Sequence, residues 1–269
     1  MRELFALLLI LFLLSCDKNT KNNPENYLDA GLLELNIKSN PEGEEIVQRL
    51  EQETGSVKRE TASVYYRFQN RNYRIERNCG WFEFLHESPN VEQEEIIKMD
   101  NIELIQVINN ITRRDLADST KLRLARHMKL KLFLMEMPFG LNSPTVQKEF
   151  LNQEKIKEQN LSKIKIEWIE DNYEKPYKVE SVIWVDEKAN DIAYIAMDLG
   201  DENNIFLYEP FNKREIEGIV FMDYHKYSGK KNKFSLEEMG RALDKNKLEE
   251  KPDLIYSDIR VSVSEKDCN

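Results

Sequence analysis

Lys163-Ile164-Lys165-Ile166-Glu167-Trp168 is the stretch on which the fold reading turns. Charged and apolar residues alternate one by one, so an extended chain sends Ile164, Ile166 and Trp168 to one face and the charges to the other. A helix would scatter both kinds around its circumference. Downstream, Ser181–Val185, Ile192–Asp198, Ile205–Tyr208 and Glu217–Tyr227 read as further strands. The connections between them are short and polar, as in Asp186-Glu187-Lys188-Ala189-Asn190. Loops of this length join neighbouring strands in opposite directions, so the sheet is expected to be antiparallel. Strand–helix alternation is missing, which argues against a parallel α/β fold.

The same period of two runs upstream. Val64, Tyr66 and Phe68 alternate with polar neighbours, Gln69-Asn70-Arg71-Asn72 reads as a turn, and Tyr73–Arg77 returns. Trp81–His86 follows, completing a meander, and Glu103–Asn110 reads as one more strand. Three segments change to a helical period. Glu44–Gln52 carries Ile46, Val47 and Leu50 on one face, after Pro41 and before Gly55. Asp115–Met137 places Leu124, Met128, Leu132 and Met135 on one face and ends at Pro138. Phe234–Leu243 reads as a short helix, and Leu254–Val263 as the last strand. The expected architecture is α+β: a curved antiparallel β half-barrel with the long helix Asp115–Met137 packed on its concave face.

The chain begins differently. Leu4–Leu14 is an unbroken apolar run of 11 residues. That is too short for a membrane-spanning helix, which needs about 20, and fits the core of an export signal. It ends in Leu13-Leu14-Ser15-Cys16, the order of a bacterial lipobox. A thiol there accepts a diacylglycerol as a thioether, and the small Ser15 suits the peptidase. The expectation is a signal peptide over 1–15, lipidation of Cys16, a polar tether over 16–40 and a single domain over 41–269. The tether, Asp17-Lys18-Asn19-Thr20-Lys21-Asn22-Asn23-Pro24 and onward, has too few apolar residues to pack.

Composition narrows the partners. A net charge of −10 argues against nucleic acid, which requires basic stripes. It also argues against an electrostatic grip on anionic lipid, leaving the Cys16 lipid as the membrane link. After Cys16 two cysteines remain, Cys79 and Cys268, which in an oxidising envelope can pair or stay as separate thiols.

Three blocks of the second half resemble a family of uncharacterised lipoproteins from Bacteroidota. The first is Met135-Glu136-Met137-Pro138-Phe139-Gly140-Leu141-Asn142-Ser143-Pro144, with Val146 and Lys148. The second is Val182-Ile183-Trp184-Val185 followed by Ile192-Ala193-Tyr194-Ile195-Ala196. The third runs from Tyr208-Glu209-Pro210-Phe211-Asn212-Lys213-Arg214 through Gly218-Ile219-Val220-Phe221 to Asp223, Tyr224 and Tyr227. The resemblance covers about residues 126–265. It implies a fold like the lipoprotein-carrier half-barrel, with a hollow apolar interior, and no reaction. Members often carry a His- and Asp-rich stretch before the Trp-bearing strand. Here that region is Glu170-Asp171-Asn172-Tyr173-Glu174-Lys175-Pro176-Tyr177, without histidine.

Chemistry-bearing patterns are sparse. His86, His127 and His225 are far apart and lack metal-ligand spacing, so no metal and no cofactor is expected. No Gly-x-Ser-x-Gly elbow occurs. The expectation is a non-enzymatic envelope lipoprotein, monomeric, on the periplasmic side of the outer membrane. It would hold an apolar small molecule, an acyl chain or a lipidated partner between sheet and helix. The candidate lining is Trp168, Trp184, Tyr194, Phe206 and Phe221 from strands and Leu124, Met128 and Leu132 from the helix. One alternative is an envelope module with a filled core, since aromatics favour strands anyway. The other is a hydrolase with a site at the cavity mouth, for which Asp223 and His225 are the nearest candidates.

Overall fold

The computed structural model describes residues 35–88, 94–170, 177–199, 202–266 and 268. The signal segment 1–15, Cys16 and the tether up to residue 34 lie outside the described residues, as does 171–176. The described chain from Leu35 onward is one compact unit.

Six strands follow one another as hairpins: β1 (Ala62–Phe68), β2 (Arg71–Asn78), β3 (Trp81–Ser88), β4 (Glu95–Asp100), β5 (Leu104–Ile108) and β6 (Ile111–Arg113). A second run comprises β7 (Gln147–Ile156), β8 (Gln159–Glu170), β9 (Tyr177–Asp186), β10 (Asp191–Met197), β11 (Asn204–Ile216) and β12 (Ile219–Lys230). The chain closes with β13 (Glu249–Leu254) and β14 (Tyr256–Val263). Turn chemistry sets the hairpins. Gln69 and Asn70 both take left-handed φ, 49° and 58°, which matches the twist of the strands they join.

One curved sheet is expected from the sequence, and the strands form two. The first is ordered β14-β1-β2-β3-β4-β5-β6 and the second β13-β12-β11-β10-β9-β8-β7, antiparallel throughout and each open at both edges. The reason lies in the connections. Each half pairs with itself through short turns, and the segment between β6 and β7 is helix and turn, which cannot carry a ladder across. Among the described residues, β13 and β14 carry the chain directly from one sheet to the other. Leu254 pairs with Tyr224 of β12, and Tyr256, two residues on, pairs with Phe68 of β1. A nearly continuous strand thus leaves one sheet and enters the other.

Three α-helices, α1 (Pro41–Glu53), α2 (Asp118–Glu136) and α3 (Met239–Asp244), and the 3-10 turns Ser56–Thr61 and Leu236–Glu238 complete the described elements. Asn40 caps α1 by accepting from Gly43 N–H at 2.9 Å, and the same oxygen accepts from Phe150 N–H at 3.0 Å, fixing α1 to β7. The fit is close enough that a Cβ on Gly43 would stand 2.6 Å from the Lys148 carbonyl oxygen. Residues 36–40, read from the sequence as the end of the tether, are tied down here. Asn36 N–H donates to Glu167 at 2.6 Å, and Asn40 N–H to the Lys148 carbonyl at 3.0 Å.

α2 touches β3 of one sheet and β12 of the other. Leu124, Ala125, Met128, Leu134 and Met135 are buried there among residues of both sheets. The second sheet is buried on both faces. Ile183 and Val185 join the cluster beneath α2, while Val182 and Trp184 join another with Met239 and Leu243 of α3. A disulfide joins Cys79, in the turn between β2 and β3, to Cys268 beyond β14.

Candidate functional site: an apolar cleft at the end of α2

The last turns of α2 do not fill the space between the two sheets. A cleft of about 360 Å³ remains, lined by Phe82 and Met99 from the first sheet, Trp168 from the second, and Leu132 and Phe133 from α2. The turn after the helix closes it with Phe139, Leu141 and Val146. Trp168 and Phe133 stack with centroids 5.2 Å apart, so one wall is a continuous aromatic surface.

Three charged residues border this apolar space, Arg77, Lys129 and Glu136, and Arg77 and Glu136 pair with each other. Arg77 of β2 donates to Glu136 of α2 through Nε at 2.8 Å and Nη2 at 2.6 Å, a fork on both carboxylate oxygens. The guanidinium also lies over the Phe139 ring at 4.6 Å and the Phe82 ring at 5.5 Å. Burial draws its pKa down, and Glu136 more than offsets this, so the net shift is upward and Arg77 stays charged. Arg59 shares the same carboxylate at longer range. It is fully buried beneath Phe221, with its Nε and Nη1 unpartnered. Burial first, opposed by Glu136, brings it down to about 10.

Leu132 and Trp168, of the eight residues expected to line a cavity, stand together at the cleft. Leu124, Met128 and Phe221 are buried in the core beyond it. Phe206 lies at the margin of that core with the Lys226 ammonium 4.3 Å above its ring. Trp184 and Tyr194 belong to the cluster on the opposite face of the second sheet. Trp184 donates Nε1–H to Glu154 at 2.7 Å there. Alternation explains the division: neighbouring strand residues point to opposite faces, and both faces of this sheet are covered.

Sequence reading missed Phe82, Met99, Phe133, Phe139, Leu141 and Val146 as lining, and the Arg77–Glu136 pair altogether. A signal was present, since Glu136–Val146 falls in the first of the three blocks quoted above.

No protein-family model and no curated protein matches the chain. Two solved structures are similar to it. One is a domain from Vibrio parahaemolyticus described as an outer membrane lipoprotein-sorting protein domain. It is 13% identical at a TM-score of 0.45, over 85% of this chain and 96% of its own. The other is a DUF1329 family protein from Desulfovibrio piger, 10% identical at a TM-score of 0.46, over 83% and 93%. Neither name is that of the Bacteroidota lipoproteins, and a likeness at this level assigns no function.

Asp223 and His225 do not form a dyad. Asp223 is buried and accepts from Arg214 at 3.0 Å, Asn212 at 2.7 Å and Tyr256 N–H at 2.9 Å. His225 turns instead to Asp253, 3.1 Å away, and stacks on Phe211. Among the described residues no group of three or more His, Cys, Asp or Glu side chains is placed to hold a metal ion. No described helix is long and apolar enough to cross a membrane.

Proposed function

We propose that this chain is a lipid-anchored protein of the bacterial envelope that binds an apolar ligand, an acyl chain or the acyl group of a lipidated partner, in the cleft at the end of α2. The observation that carries the reading is the lining. Aromatic and aliphatic side chains from both sheets and α2 enclose a space within the ~300–1,000 Å³ usual for ligand sites. Arg77 and Glu136 at its border neutralise each other. An apolar ligand entering there can leave that ion pair intact.

In this reading the two open sheets act together as a half-barrel, and α2 covers its concave side. The lipid on Cys16 holds the domain at the periplasmic side of the outer membrane. Neither catalysis nor a cofactor is involved, and the protein acts as a monomer.

Two experiments test the parts separately. Native mass spectrometry of protein extracted under gentle conditions should show a lipid-sized adduct, and a clean apo mass contradicts the cleft reading. Cys16→Ala should leave the fold intact and release the protein from the membrane. A cleaved variant that stays membrane-bound contradicts the anchor.

A further inference from the structure

A second site stands on the same two elements, away from the cleft. β2 brings Arg71 and Tyr73, β3 brings His86 and α2 brings Lys131. Lys131 Nζ donates to the Tyr73 hydroxyl at 2.7 Å, and the Arg71 charge opposes the rise that burial gives that hydroxyl's pKa. Arg71 Nη1 stands 3.5 Å from His86 Nε2. The His86 and Tyr73 rings stack at 4.9 Å, and both residues are only 1% exposed. Arg71 and Lys131 are half-buried, so both side chains remain partly open to solvent.

Two features are unusual in a chain of net charge −10. Neither Arg71 nor Lys131 has an ion-pair partner within 4.0 Å among the described residues. His86 is left with an unmet donor. Arginine only donates, so Nε2 must accept from it, and the ring proton belongs on Nδ1. Nδ1 is buried and has no hydrogen-bond partner. A buried donor without an acceptor costs about 1–3 kcal/mol. Burying cations side by side adds to that cost. The arrangement becomes favourable when an anion sits among these groups.

We propose that Arg71, His86 and Lys131, held by Tyr73, form a binding site for a tetrahedral oxyanion of the phosphate class. A planar guanidinium fork and an ammonium suit a ligand with several oxygens. With the anion in place the ring proton can sit on Nε2, which faces Arg71, and donate to the anion, so that Nδ1 no longer carries an unmet donor. Inorganic phosphate and a phosphorylated lipid headgroup present the same chemistry.

The titration of the surrounding groups agrees. Burial first, then Lys131, Arg71 and His127, holds His86 down to about 3. Burial, Lys131, Arg71 and Arg123 hold His127 to about 4, with Glu95 opposing. Burial and Arg71 bring Lys131 to about 8. A bound anion reverses these shifts, so binding takes up protons and strengthens as pH falls.

Sulfate tests this cleanly, because its charge stays fixed over the range. Titration of the chain with sodium sulfate by calorimetry should show binding at least about threefold tighter at pH 5 than at pH 7.5. Arg71→Gln and Lys131→Met should each weaken it about tenfold, the loss of one charge-assisted hydrogen bond. Lys131→Met should unfold at or slightly above the wild-type midpoint, which separates lost binding from lost folding. Binding of sulfate and inorganic phosphate assigns the site to free oxyanions. Binding confined to short-chain phosphatidic acid, with no response to phosphatidylcholine of equal chain length, assigns it to a headgroup. Absence of binding by all of these, or variants that bind as the wild type does, overturns the site.

Discussion

At one end of the seam between β2 and α2, Arg77 meets Glu136 in a two-pronged ion pair. At the other end, Arg71 and Lys131 approach His86 and Tyr73 with no carboxylate in reach among the described residues. Both ends bury cations, and they manage the cost in opposite ways. Where a carboxylate is built in, the charge is neutralised and the neighbouring surface can be an apolar cleft. Where none is supplied, the field stays positive, and the imidazole is held neutral. The two ends therefore call for different ligands, one apolar and one anionic, on a shared pair of elements.

Breaking the neutralised end should have the largest effect. Glu136→Gln leaves Arg77 and the buried Arg59 without their carboxylate, and removing one partner of a buried pair costs about 3–5 kcal/mol. The loss is read as a fall in the urea midpoint at unchanged slope. A variant of near wild-type stability would mean that the pair does not govern this end. Reducing the Cys79–Cys268 bridge should come next, at about 2–4 kcal/mol, because it frees a loop spanning 189 positions. Unfolding with and without a reductant measures it, and coincident curves would contradict it.

The unneutralised end should show itself through pH. His86 is held to about 3 when folded and titrates at about 6.5 when unfolded. Between those values the unfolded state binds a proton that the folded state refuses. This contribution to stability is present above pH 6.5 and is lost as pH falls toward 3. His86→Gln should flatten the acid side of a melting-temperature profile, and an unaltered slope would remove His86 as its source. Lys131 acts in the same direction at higher pH. Folded near 8 and unfolded near 10.4, it favours folding increasingly as pH rises across that interval. The smallest effect belongs to Lys131→Met at neutral pH. Removing an unpaired cation from beside Arg71 should change stability by less than about 1 kcal/mol, toward greater stability, whereas the same charge change at Glu136 is costly.

The sequence read most clearly where one physical rule acts alone. Ile164, Ile166 and Trp168 alternate with charges, and β8 follows. Gln69-Asn70 has the residue types of a tight hairpin, and β1 and β2 meet there. β7 was not legible, because Gln147–Ile156 is an edge strand rich in charges that bury only part of one face. The division into two sheets was also hidden. Leu254–Val263 reads as one strand by its pattern, and only the pairing shows that it changes partners around Ile255. Site residues read less well for a related reason. Trp184 and Leu132 look equally apolar in sequence, yet the second sheet is covered on both faces, and Trp184 belongs to the far one. The charged features depend on contacts between positions as distant as Arg77 and Glu136, which local spacing does not encode.

The most direct test of the central claim, an apolar ligand at the end of α2, is titration of the protein with a fluorescent fatty-acid probe beside Leu132→Arg. The probe should bind the wild type saturably and quench fluorescence from Trp168, which stacks on Phe133 in the cleft wall. Leu132 is half-buried and lines the cleft, so an arginine there should abolish binding while leaving the fold in place. Equal binding by the wild type and a folded Leu132→Arg protein, or no saturable binding by the wild type, would contradict the account.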